Sequence, residues 1–117
     1  MATSLKRGKK TPEYQAMLEC NELITNGLKA NLVTMSAALH RKHLIPQSID
    51  EEIIEQADGI DSLHKAAKLR ELVTDKVQQD VAMFKTFLEI LEQNEAEDLA
   101  KILKDKCVEL QGMNILN

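Results

Sequence analysis

The chain has 117 residues, 44% apolar and 29% charged, with two Phe, one Tyr, no Trp, four Gly and two Pro. That length holds one hydrophobic core and not two, and the shortage of aromatic and turn residues argues against a many-stranded β domain. The net charge of −4 hides a division: Lys6, Arg7, Lys9 and Lys10 make residues 1–10 basic, and the rest carries 11 basic against 19 acidic groups, a poor match to a nucleic-acid backbone.

In chain order, residues 1–10 read as a flexible basic tail, too thin in charge to stand alone as a localisation or nucleic-acid signal. Thr11 is a candidate N-cap with Pro12 at the first helical position, where a missing N–H costs nothing. Behind it Tyr14, Met17, Leu18, Ile24 and Leu28 share one side of a first helix, with a kink or early end expected at Asn26-Gly27. Asn31 is placed to cap a second helix carrying Leu32, Met35 and Leu39. That helix must stop before Pro46, because proline disfavours helical geometry in the residue preceding it. The basic run His40, Arg41, Lys42 and His43 then falls on its last turn, where the dipole favours cations.

Ser48 and Glu51 have the spacing of a capping box and open a third helix with Ile49 and Ile53 inward. Asp50, Glu51 and Glu52 crowd its first turn. Asp58-Gly59 marks a turn, and Asp61 or Ser62 caps a fourth helix with Ala66, Leu69, Val73 and Val77 inside. Asp80 opens a fifth helix, the most apolar, with Phe84, Phe87, Leu88 and Leu91. Asn94 and Glu97 look like a second capping box, starting a sixth helix with Leu99, Ile102 and Leu103. The signal fades after Lys106, so residues 107–117 read as a weakly structured extension and 11–106 as the domain. Six helical segments with short connections predict an all-α, compact, antiparallel six-helix bundle.

Little in this layout suggests catalysis. His40 and His43 are one turn apart, but Arg41 and Lys42 between them repel a cation and no third ligand is placed. Cys20 and Cys107 sit in apolar helical patterns, far from any Cys-x-x-Cys pair, and read as reduced, partly buried thiols of a reducing compartment. The paired acids lie at helix starts, where capping explains them better than acid–base work. There is no phosphate loop, no apolar run of the roughly 18 residues a membrane span needs and no signal segment. No enzyme, no cofactor and no metal are expected.

Three stretches resemble a caspase-recruitment domain (CARD) of the death-fold superfamily. "LVTMSAALHRKHLIPQSIDEEII" is similar to that family's second and third helices, and "KAAKLRELVTDKV" to its fourth. "VAMFKTFLEILEQNEAEDLAKIL" is similar to the fifth and sixth, through the spacing of Phe84, Phe87, Leu88 and Leu91. The likeness spans about residues 13–105. It implies a cytoplasmic adaptor domain that recruits CARD-containing partners, and copies of itself, in apoptotic or innate-immune signalling. Its docking surfaces would be an acidic face (Asp50, Glu51, Glu52, Glu55) and a basic one (Lys65, Lys68, Arg70). The family's first-helix arginine is missing: Cys20-Asn21-Glu22-Leu23 stands in its place. Opposed faces of this kind allow head-to-tail contacts that build helical filaments. Two other expectations stay open: a helical nucleic-acid binder using the basic tail with Arg41 and Lys42, and a monomeric decoy of the same fold.

Overall fold

A computed structural model describes residues 11–55 and 62–116, with side chains for 11–51 and 62–112. The basic tail, the Asp58-Gly59 turn and the Asp61 cap lie outside the described residues. Seven helices and no strand occur among them: α1 Pro12–Glu19, α2 Asn21–Ala30, α3 Leu32–Arg41, α4 Gln47–Glu55, α5 Ser62–Gln79, α6 Ala82–Gln93 and α7 Glu97–Leu116. The described residues are thus all-helical, with one helix more than the spacing predicts for them.

The extra helix comes from a break at Cys20, not at Asn26-Gly27. Cys20 leaves helical geometry (φ −105°, ψ 20°) although its N–H still reaches the Ala16 carbonyl. Thr11 caps α1 as expected, its Oγ1 accepting from the Tyr14 N–H at 3.1 Å. Gly27 runs through the middle of α2 without a kink. A β-carbon there would lie 2.7 Å from Leu99 Cδ2, so the missing side chain is what lets α7 approach α2 so closely. The helical penalty of glycine, about 1 kcal/mol, is offset by that contact.

Neither expected capping box forms. The Ile49 and Asp50 N–H groups bond back to the Pro46 carbonyl, so α4 starts at Gln47 and Ser48 falls inside its first turn. Asn94 ends α6, its Nδ2 donating to the Ile90 carbonyl at 2.7 Å, and α7 begins three residues later. Both preceding helices, α3 and α6, close with a left-handed residue after the C-cap. His43 has φ 65° with Leu44 N–H bonded to Leu39 O at 2.9 Å, and Glu95 has φ 66° with Ala96 N–H bonded to Leu91 O at 2.8 Å. Such positions favour glycine, since a side chain in this region costs roughly 1–2 kcal/mol. Glu95→Gly should therefore raise stability by about 1 kcal/mol and the thermal midpoint by about 4 °C. A midpoint at or below that of the parent in a calorimetric scan would contradict it.

One core gathers the apolar faces. Met17, Ile24, Leu28, Met35, Leu39, Leu44, Leu69, Val73, Phe87, Leu91 and Leu103 are fully or almost fully enclosed. α2 lies along α5, α1 along the second half of α7, and α6 along its first half. The helix does not fade after Lys106. Cys107 and Leu110 continue the buried stripe of Leu99 and Leu103, and Gln111-Gly112 does not end it. The boundary expected at residue 106 therefore cuts through a packed helix. By contrast α4 makes its main packing contact with α3 alone among the described residues.

Candidate interaction surface

The predicted acidic face rests on the first turns of α4. Glu51 is exposed and its Oε2 accepts from Gln47 Nε2 at 2.9 Å, an i, i+4 pair along the helix surface. Glu52 and Glu55 belong to α4, but their side chains lie outside the described residues. Asp50 is not on this face: it is only 8% exposed. Its Oδ1 accepts from Ser36 Oγ at 2.8 Å and its Oδ2 lies 3.4 Å from His40 Nδ1. Ser36 and His40 are four apart, on one face of α3, so together they offer two donors to a carboxylate arriving from α4. A buried carboxylate is tolerable only when its oxygens find partners, and here Ser36 Oγ donates to one and the His40 ring lies beside the other.

The Ser36–Asp50–His40 arrangement was not apparent from spacing, because Ser36 resembles any small core-facing residue. It does not have the connectivity of a nucleophilic triad. There the imidazole stands between hydroxyl and carboxylate, whereas here the carboxylate stands between the other two. Ser36 Oγ donates a hydrogen bond to Asp50 and is wholly enclosed. The trio acts as a fastener between α3 and α4.

Of the basic residues, Lys68 is exposed on α5 and Lys65 is partly covered. Arg70 is turned mostly inward, its side chain 22% exposed. One guanidinium nitrogen donates to Thr25 Oγ1 at 3.1 Å and another lies 3.6 Å from the Glu71 carboxylate. Thr25 Oγ1 in turn donates to the Asn21 carbonyl. Arg70 thus ties α5 to α2, which leaves Lys68 as the freely displayed cation of the three expected. The cleft beside Arg70, about 220 Å³, is lined by Tyr14, Asn21, Glu71 and Asp75 among others, so its charge is mixed.

Cys20 and Cys107 are free and buried. Burial pushes both thiols above their ordinary range; the Lys106 ammonium pulls Cys20 partly back, and Glu13 adds to the rise at Cys107. Lys106, bonded to Glu109 and 3.6 Å from Glu19, is itself held above the usual lysine range, chiefly by the Glu109 hydrogen bond. The unfolded chain ionises its thiols near pH 8.5, while the folded one keeps them protonated to higher pH. The stability this carries is therefore whole below about pH 8.5 and declines as pH rises, in the same direction as the Lys106 contribution. The urea midpoint should hold steady to about pH 8 and fall above it. Cys20→Ala combined with Cys107→Ala should flatten part of that fall; an equally steep decline in the double variant would rule the thiols out.

Among the described residues no group of three or more His, Cys, Asp or Glu is placed to hold a metal ion. None of the described helices is long and apolar enough to cross a membrane. Comparison with family models, with curated proteins and with solved structures returned no match to this chain.

Proposed function

We propose that the chain is a homotypic interaction domain resembling the caspase-recruitment domains, a cytoplasmic adaptor that joins CARD-containing partners or its own copies in apoptotic or innate-immune signalling. The observation that carries this reading is that the residues bearing the resemblance form the core. Leu32, Met35, Leu39, Leu44, Ile45, Leu69, Val73, Phe84, Phe87, Leu88, Leu91 and Leu103 are all buried together. With α1 and α2 taken as one broken first helix, α3–α7 follow in the order of the family's second to sixth helices.

Opposite charges on separate helices support the same reading. Glu51 is displayed on α4 and Lys68 on α5. Single exposed ion pairs are worth little, so specificity rests on the array, and its faces steer encounter as well as hold it.

The test is a charge swap. Glu51→Lys with Glu52→Lys, and separately Lys65→Glu with Lys68→Glu, should each weaken self- or partner association by about tenfold, with unchanged helical circular dichroism. Mixing the two variants should recover part of the binding. Association left undiminished in both variants, read by light scattering across concentration, would remove the proposed faces. A wild-type chain that stays monomeric yet blocks a partner's assembly would favour a capping regulator.

A further inference from the structure

The run His40-Arg41-Lys42-His43 has no part in the docking faces above, and the structure gives it a different setting. Between the end of α3, the start of α4 and the second half of α5 lies an open cleft of about 340 Å³. Its walls are His40, His43, Ile45, Pro46, Gln47 and Lys76. No carboxylate lines it among the described residues. That is unusual in this chain, whose residues after the tail are predominantly acidic. The clefts at Tyr14–Asp75 and at Gly27–Glu95 each carry at least one carboxylate.

Three features make this more than a patch of surface cations. Arg41, Lys42, His43 and Lys76 form no ion pair or side-chain hydrogen bond with another described residue, so the three cations among them are not spent on a described partner. Of the two nearby carboxylates, Asp50 is buried with its oxygens turned to Ser36 and His40, and Glu51 accepts from Gln47 Nε2. The Asp50 contact sets the His40 ring on one side of the cleft. Finally, the left-handed turn at His43 bends the chain so that residues from α3, α4 and α5 meet around one space.

The geometry points to a binding site for a phosphate monoester dianion in this cleft. Lys76 supplies the point charge and His43 a directional donor, with the exposed Arg41 and Lys42 next in the chain adding long-range attraction. The volume exceeds that of one phosphoryl group, so the cleft has room for part of the group that carries it. His43 and Lys76, on which the site rests, belong to neither docking face, so the site stands whether or not the chain associates with its own kind.

Titration of the isotope-labelled chain with inorganic phosphate and with O-phosphoserine, at constant ionic strength, tests it by amide chemical shifts. Saturable shifts should be confined to residues 40–47 and the surroundings of Lys76, with sodium acetate and unphosphorylated serine inert. Tighter binding of phosphoserine than of phosphate would identify an esterified ligand; equal binding would identify the free anion, and either supports the site. Lys76→Gln with His43→Asn should weaken binding by about fivefold while the urea midpoint stays near the parent's. Shifts absent, spread equally over Lys68, Lys101 and Lys104, or unchanged in the double variant would overturn the assignment.

Discussion

A chain stopped after Lys106 should lose about 3–4 kcal/mol of folding stability relative to one stopped after Gly112. The six residues between them contain two buried side chains, Cys107 at 6% and Leu110 at 9% exposure. Burying a leucine is worth about 1.5–3 kcal/mol and the smaller cysteine roughly half of that. Extending an existing helix is close to neutral per residue, because each added hydrogen bond offsets the ordering of one backbone unit. The side-chain burial therefore survives as the net effect. It falls on α1, which packs along this half of α7 and keeps Ala16 and Met17 wholly enclosed. Against a total of about 5–15 kcal/mol, the loss would leave the shorter chain marginal. Equal urea midpoints for the two chains would show that the second half of α7 is not docked.

Asp50→Ala should cost about 2 kcal/mol, more than any single surface acid of α4. Two opposing effects set the size. Removing a buried carboxylate recovers its desolvation, several kcal/mol, but forfeits the Ser36 hydrogen bond and the His40 contact that offset it. Ser36 is 0% exposed and loses its acceptor. A buried donor left unpaired costs about 1–3 kcal/mol. The upper end is avoided because a helical serine can turn its hydroxyl to the carbonyl four residues back. Asp50→Asn, which keeps an acceptor for Ser36 and changes only the contact with His40, should cost about half as much. Glu51→Ala serves as the exposed control, with an effect within about 0.5 kcal/mol. If Asp50→Ala proves as mild as Glu51→Ala in chemical denaturation, the Ser36–Asp50–His40 fastener does not hold α4.

These two sites show where sequence reasoning works and where it stops. Helical period located α3, α5 and α6, and Thr11-Pro12 located the start of α1, because burial and local capping both leave marks at fixed spacing. The second half of α7 was missed: Leu99, Leu103, Cys107 and Leu110 do recur at helical spacing, but only once cysteine is counted as a core residue, and the residues after Lys106 read as a weakly structured extension. The break at Cys20 left no such mark, since no proline or glycine announces it. Gly27 announced one that did not occur, because its purpose is contact with Leu99. The two capping boxes failed for a shared reason. Their serine and asparagine were judged by the helix that follows, while Pro46 and the end of α6 had already settled the backbone.

The interaction surface was less legible than the fold. Asp50 and Arg70 carry the charges that a docking face needs, yet both are held by tertiary partners, Ser36 and His40 for one and Thr25 for the other. Nothing local distinguishes them from Glu51 and Lys68, which are displayed. A charge pattern read along a helix gives direction to within about a quarter turn, and that margin separates a surface acid from a buried one.

The notch at Gly27 has a mechanical consequence. A leucine side chain seated against the bare backbone of Gly27 holds α7 and α2 in register at that point, because a neighbouring residue with a β-carbon could not offer the same room. The first and last parts of the chain are in this way keyed together like a bolt in its slot. Any rearrangement that accompanies binding must therefore move elements around this fixed axis instead of shearing it, and α4, joined mainly to α3, is the element with most freedom to do so.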